Sequence, residues 1–390
     1  MAWQYKYTVL ALCTLAFLST TVARLAISPV VPAITDDFEI SNTIIGFALT
    51  GMWMAYALAQ FPSGILGDRF GERTVILLAL GGTSIMCVLL ALSPHFAVFV
   101  LAVVALGGVA GLHYSVATTF LGRTFDNLGF AIGVHTSGSS AAGLIAPVAA
   151  AWISVRFGWR PAVAFATVIA FPIFLLFAWR IRPTEPRQPG KAVVERLQLG
   201  PVVGILKRPE IAFTVSIAAL CAFVWQGIAS FLPAFLVEYR GQSEAIAGTV
   251  FAMYFVTQSV TKPSIGALSD RLGRDAVIVG CMITGVSGLG LFVAVPGLLG
   301  VIGGIVLVGI GLSWAVAIEP RFMENMSEQE RGGGFGLVRT VYLVIGSLGS
   351  LAVGLFADVF GWAVSFGMLM AALGIVAVGL LANAALGLEY

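Results

Sequence analysis

Three basic residues lie inside long apolar runs of this sequence, where a charge is difficult to accommodate. They are Arg24, Lys262 and Arg339. A charged side chain at the middle of a bilayer costs about 2.5–3.5 kcal/mol on insertion scales, so such residues rarely face lipid and often mark a binding or ion pathway. No acidic residue is evident deep in these runs, and cations without nearby anions favour an anionic ligand.

Composition requires that the elements positioning these residues be membrane helices. The chain has 390 residues, of which 59% are hydrophobic and 10% charged, and its mean hydropathy is +0.99. Backbone groups in lipid must be satisfied internally, and apolar runs near twenty residues suit helices. We therefore predict an all-α membrane protein with spans at 7–33, 44–67, 74–92, 96–120, 129–155, 160–180, 211–237, 245–268, 275–294, 297–318, 333–357 and 361–385.

The twelve predicted spans divide into two sets of six. A polar, proline-rich stretch separates them, which gives an N-terminal bundle at 1–181, a cytoplasmic linker at 182–209 and a C-terminal bundle at 210–390. Lys and Arg concentrate in the linker and on its side of the membrane, so the positive-inside rule predicts cytoplasmic N- and C-termini. The expected location is the plasma or inner membrane.

One charged turn occurs twice, once after span two and once after span eight. The copies are Gly64-Ile-Leu-Gly-Asp-Arg-Phe-Gly-Glu-Arg73 and Gly266-Ala-Leu-Ser-Asp-Arg-Leu-Gly-Arg274. Glycine permits tight turns, and aspartate at a helix end can cap or pair with a neighbouring helix. This pattern resembles the signature loop of the major facilitator superfamily, whose members are twelve-helix secondary transporters built from two six-helix bundles. The resemblance implies gating by Asp68, Arg69, Arg73, Asp270, Arg271 and Arg274.

The sequence departs from the family pattern at two positions, one that bears on proton coupling and one that bears on the direction of transport. Many proton-coupled relatives carry an arginine early in span four, where this chain has Val104. The proline-glycine pattern of many exporters in span five is only partly present, as Gly143-Leu-Ile-Ala-Pro147.

The region around Lys262 suggests a substrate class. Lys262-Pro263 just ahead of the second turn resembles the pattern in monocarboxylate transporters and oxalate/formate exchangers, in which a basic residue contacts the substrate carboxylate and a second cation, here Arg339, assists. Nitrate/nitrite transporters are a weaker match, because their span-two arginine would fall near Gln60. The expected substrate-binding residues are Arg24, Lys262, Arg339, Tyr342, Gln258, Trp225 and Gln226.

Two histidines within predicted spans are candidates for proton coupling. His113 and His135 are the side chains in the helices whose usual pKa is near neutral. A hydrogen-bonded packing histidine is the alternative interpretation for either. Glu319 and Glu238 fall at predicted span ends, which favours an interfacial role for both.

The sequence thus predicts a monomeric secondary transporter of a small organic anion, with symport and exchange left open. Alternatives are a multidrug or amphiphile efflux antiporter, a nitrate-type transporter and a ligand sensor that moves nothing. No nucleophile, metal cluster, cofactor motif or nucleic-acid-binding motif is evident, so the expected partners are the anionic substrate, protons and lipid.

Overall fold

The computed structural model describes residues 5–186, 204–327 and 333–388, and these residues fold as helices joined by short connections. Most of the predicted linker at 182–209 therefore lies outside the described residues. The helices of the first six spans are Tyr5–Leu25, Ser28–Val30 (a 3₁₀ turn) and Val31–Phe38 in span one, then Asn42–Phe70, Glu72–Ala91, Phe96–Gly111 with His113–Thr124, Leu128–Phe157 and Trp159–Arg180. The last six are Pro209–Glu238, Glu244–Leu272, Arg274–Ala294, Gly297–Gly311 with Ala315–Glu324, Gly333–Phe360 and Trp362–Leu386.

Eleven of the described helical segments are long and apolar enough to cross a membrane. The twelfth, span eight, is 29 residues long but carries Glu244, Lys262, Asp270 and Arg271 within its helix. Spans four and ten are each interrupted, by Leu112 and by Leu312–Trp314. Span ten then continues to Glu324, so it is longer than the predicted 297–318 and takes in Glu319.

A single glycine with a positive φ separates the second and third helices of each three-span group. The four glycines adopt φ angles of 83° to 92°, which residues with a β-carbon rarely adopt; they are Gly71, Gly158, Gly273 and Gly361. Such a glycine lies between spans two and three, five and six, eight and nine, and eleven and twelve. This regularity indicates that a unit of three helices is repeated four times, as in transporters built from structural repeats.

The chain forms two compact units. Of the described residues, the first comprises 5–38 and 51–186, and the second comprises 39–50, 204–327 and 333–388. In the first unit, span one packs on span five, and span three packs on span six. In the second unit, the equivalent pairs are spans seven and eleven, and spans nine and twelve. The two units therefore repeat one packing scheme. In the first unit, the apolar interior includes Val9, Leu10, Ile76 and Leu121.

Glycine permits close helix contact at defined positions in both units. A β-carbon at Gly107 of span four would overlap the carbonyl oxygen of Met52 in span two, and one at Gly111 would overlap that of Tyr56. Gly349 of span eleven approaches the Phe223 carbonyl of span seven in the same way. Small residues at helix contacts are typical of membrane proteins, because packing is what drives helix association in lipid.

The outward faces of the spans suit lipid. Leu101, Val168 and Trp179 are each 73% exposed on helices that have no polar face toward the outside. Trp152 and Trp179 lie near helix ends, each with an arginine guanidinium 4.2 Å from its ring centre. Tryptophan beside arginine at a helix end is the usual arrangement at a membrane–water interface.

Candidate functional site

Arg24 is buried in the first unit, as its position in span one predicts. The residue is 6% exposed, and its guanidinium donates to the Thr20 carbonyl at 3.2 Å and to the Thr21 hydroxyl at 3.3 Å. The Tyr56 ring covers it at 3.9 Å and the Trp53 ring lies at 5.3 Å. Among the described residues, no carboxylate forms an ion pair with it. Cation–π contacts and neutral acceptors therefore stabilise this charge.

His113 and His135 contact each other next to Arg24. Both are fully buried, and their ring centres are 5.4 Å apart. Phe17 of span one packs on both rings, at 5.8 Å and 5.0 Å. None of the four ring nitrogens has a hydrogen bond of good geometry to any described residue, and the Cys13 backbone is a poorly aligned hydrogen-bond partner for both rings. The sequence predicted two separate candidates, and the structure joins them into a pair.

Lys262 lies within electrostatic reach of Glu319, a residue predicted at the end of span ten. The span-ten helix runs past residue 318, so Glu319, which was predicted at the span end, lies within a helix alongside span eight. Lys262 is half-buried, and the Glu319 carboxylate acts electrostatically on its ammonium.

The predicted lining residues Trp225 and Gln258 belong to one hydrogen-bonded network in the second unit. The Gln258 amide donates to the Tyr254 hydroxyl at 2.7 Å and to the Leu312 carbonyl at 2.9 Å. Trp225 also hydrogen-bonds to that hydroxyl. The Leu312 carbonyl is free to accept because span ten is interrupted there. The network therefore ties spans seven, eight and ten together through Tyr254, which is fully buried.

The remaining predicted binding residues lie on spans seven and eleven. The Gln226 amide donates to the Leu343 carbonyl at 3.1 Å, so it joins these two spans. Tyr342 is 3% exposed and stacks on Phe322, with ring centres 6.1 Å apart. Arg339 is half-buried one helical turn before Tyr342. The convergence of Arg24, Lys262 and Arg339 on one substrate stays a prediction, as do the binding roles of the other residues.

The first charged turn is held by contacts to spans four and six. Glu72, the residue after Gly71, is 1% exposed and pairs with Arg123 near the end of span four at 2.6 Å. The Arg73 guanidinium donates to the Ile181 carbonyl at 2.8 Å, and its backbone N–H donates to the Thr184 hydroxyl at 3.0 Å. A buried carboxylate with a paired arginine at a helix start is stabilised by both the pair and the helix dipole.

The second turn repeats this design with the charges exchanged. Arg274, the residue after Gly273, pairs with Glu324 at the end of span ten at 3.1 Å and also with Asp270. Asp275 pairs with the buried Arg321 at 2.7 Å. Glu72 with Arg123 and Arg274 with Glu324 are therefore equivalent contacts of opposite polarity, a relation that the sequence analysis did not detect. The signal was present in the sequence, as Gly-Glu in one copy and Gly-Arg in the other.

The other predicted gating residues lie on the same turns. Asp68 and Arg69 are half-buried in the last turn of span two, where the Arg69 guanidinium lies 5.2 Å from the Phe70 ring centre. Arg271 is exposed at the end of span eight. Their gating role stays a prediction.

Long apolar helices with repeated glycine joints, buried polar groups and lipid-suited faces define a multi-pass helical membrane protein. The chain belongs to the Major Facilitator Superfamily, whose model matches residues 12–243 and 214–386. This confirms the predicted fold class.

Curated relatives include two proteins named multidrug resistance protein MdtG. The one from Dickeya zeae is 25% identical over 275 residues, which cover 69% of this chain and 65% of the relative. The one from Citrobacter koseri is 27% identical over 245 residues, which cover 62% and 59%. The match thus spans less than two thirds of the length of either relative.

Solved structures share the fold across nearly the whole chain. A bacterial homologue of the human lysosomal transporter Spinster, in an inward-facing unoccupied conformation, gives a TM-score of 0.79 at 18% identity, covering 99% of this chain and 96% of that chain. The nucleoside transporter NupG gives 0.78 at 14% identity, covering 97% and 99%. At these identities, the likeness is one of fold alone.

Proposed function

We propose that this protein exports amphiphilic compounds from the cell by alternating access. The observation that carries the proposal is the position of Glu319 within the span-ten helix Ala315–Glu324, which packs against span eight, the helix of Lys262. Its charge acts on Lys262, one of the three cations from which an anionic substrate was predicted. It also supplies the embedded carboxylate that drug exporters use for cationic compounds and that the sequence analysis did not find.

The chemistry of the buried polar residues also supports an amphiphilic substrate. Aromatic rings accompany the polar groups in both units, with Trp53 and Tyr56 beside Arg24 and with Trp225 and Tyr254 beside Gln258. Aromatic surfaces with few polar groups bind apolar bodies and orient them through one or two hydrogen bonds. The names of the curated relatives agree with export of drugs.

Export is tested by dye accumulation in cells that lack their own major efflux pumps. We expect cells expressing the protein to accumulate less of a lipophilic cationic dye than cells carrying an empty vector, and Glu319→Gln to abolish the difference. The matched control is Asp126→Asn, which neutralises an exposed carboxylate between spans four and five. Equal accumulation with and without the protein, for cationic, neutral and anionic dyes alike, would overturn the proposal.

A second candidate, transport of a small organic anion, is favoured by Arg24. This buried cation has neutral acceptors and aromatic faces around it and no ion pair to a described carboxylate. Proteoliposome uptake of labelled mono- and dicarboxylates separates the candidates. Anion uptake that Arg24→Gln abolishes, in the absence of dye export, would replace the first proposal with the second.

A further inference from the structure

The structure assigns a proton-binding site to the first unit, and we propose that His113 and His135 share one proton that couples transport to the pH gradient. The inference rests on the proposed transport function. Two fully buried imidazoles, 5.4 Å apart between ring centres, meet across spans four and five. Their four ring nitrogens form no hydrogen bond of good geometry to a described residue. A packing histidine normally has its ring nitrogens satisfied, so this pair has the capacity to bind and release a proton.

The surroundings limit the pair to one proton. Phe17 packs on both rings, and Tyr114 lies with its ring centre 6.0 Å from that of His135. The Cys13 backbone is a poorly aligned hydrogen-bond partner for both rings and favours an N–H pointing toward it. Two imidazolium ions this close in an apolar setting repel each other strongly, and Arg24 adds a third positive charge that acts on His113.

No carboxylate in the described part of the first unit competes for this role. Those between residues 5 and 186 that belong to this unit lie at span ends or in connections: Asp36, Asp37, Asp68, Glu72, Asp126 and Glu185. The other titratable or charged side chains near the pair are Arg24 and Cys13 from span one and Tyr114 from span four. Tyr56 of span two faces Arg24. Of these groups, the imidazoles are the ones whose usual pKa lies near physiological pH.

Arg24 connects the proton to the charge of the substrate. A bound anion beside Arg24 would reduce its repulsion of the proton, so the anion and the proton would bind together. A bound cation would add to the repulsion, so the cation and the proton would exclude each other. Exchange of a cationic amphiphile for a proton requires that binding of one weakens binding of the other. By thermodynamic linkage, each ligand reduces the affinity for the other by the same factor.

The shared proton is tested directly on the wild-type protein. The sequence contains three histidines, and the third, His95, is exposed at the start of span four. Protein labelled with ¹⁵N-histidine should therefore show three imidazoles by NMR in detergent micelles. We expect the two buried imidazoles to titrate together with one proton between them. Two full protonation steps for the pair, or none over the pH range in which the protein stays folded, would overturn the proposal.

The coupling role is tested in proteoliposomes with His113→Gln, His135→Gln, the double variant and the control His95→Gln. In each single variant, dye accumulation driven by a pH gradient should fall by about tenfold or more. The same variant should exchange labelled for unlabelled dye at a rate within about twofold of wild type. The double variant should be no worse than either single variant, because the pair acts as a unit. Full gradient-driven accumulation by either single variant contradicts the proposal, as does parallel loss of both activities in a variant that melts like wild type.

Failure of the proposed export function is distinguishable from failure of the coupling site. If the wild-type protein neither accumulates nor exchanges any dye, the export proposal fails and the NMR titration still decides whether the pair shares a proton.

Discussion

The carboxylate of Asp358, at the end of span eleven, accepts hydrogen bonds from both the backbone N–H and the hydroxyl of Thr43, each at 2.6 Å. The backbone N–H of Asn42 also donates to it, at 3.2 Å. Asp358 therefore caps the first turn of another helix, Asn42–Phe70. The next turns of that helix continue the contact, since the Thr50 hydroxyl donates to the Ser347 carbonyl at 3.0 Å and accepts from the Leu351 N–H at 2.9 Å.

Replacing Asp358 with alanine should remove this cap and destabilise the protein by about 1 kcal/mol, the usual cost of losing a side-chain helix cap. Asp358→Asn should cost less, because the amide oxygen still accepts one hydrogen bond. Thermal unfolding of the purified protein in detergent measures both, with Asp126→Ala as the control for loss of an exposed carboxylate. An unchanged melting temperature for Asp358→Ala would show that solvent replaces the cap without cost.

Neighbouring glycines of span four should respond oppositely to alanine. A β-carbon at Gly107 would overlap the Met52 carbonyl, whereas nothing lies within 4 Å of one at Gly108. We expect Gly107→Ala to destabilise by about 1–3 kcal/mol through overpacking. Gly108→Ala should be neutral or stabilise by up to about 1 kcal/mol, because alanine favours a helix. Thermal unfolding of the two variants side by side checks this, and equal effects would contradict the close approach of spans two and four.

Reversing the charges of the Glu72–Arg123 pair should be tolerated only when both residues are replaced. Glu72→Arg alone places a buried guanidinium opposite Arg123, and Arg123→Glu alone sets two carboxylates together. The double exchange recreates the polarity of Arg274 with Glu324 in the second unit. We expect a coupling free energy of about 1 kcal/mol in the double-mutant cycle, measured by thermal unfolding. Additive losses would mean that the pair contributes little.

The Lys262–Glu319 interaction predicts a rescue experiment. Lys262→Ala leaves Glu319 without its positive neighbour and should lower the melting temperature, and adding Glu319→Gln should restore it, because the unpaired charge is what costs stability. Dye export and anion uptake by the folded double variant then report on Lys262 itself. Anion uptake that is absent from both folded variants would support a direct substrate contact, and its return in the double variant would limit Lys262 to neutralising Glu319.

Local features of the sequence were sufficient to predict the fold. Hydrophobic runs near twenty residues specify membrane helices, and the repeated Gly-x-Leu-x-Asp-Arg turn marks the two equivalent halves, because both signals depend on residues close together in the chain. Burial of Arg24 beside Thr21 followed for the same reason, since residues three apart share a helix face.

What only the tertiary structure decided is which groups meet across spans. Glu319 acts on Lys262 from 57 residues away in the numbering, His113 contacts His135 with Phe17 of a third helix packed on both, and Asp358 caps a helix that begins at Asn42. No periodicity encodes such contacts, because they depend on how helices rotate and pack against each other. The sequence alone therefore determined a two-half transporter with buried cations. The packing of the spans decided which side chains surround those cations, and these side chains bear on which substrate the protein carries.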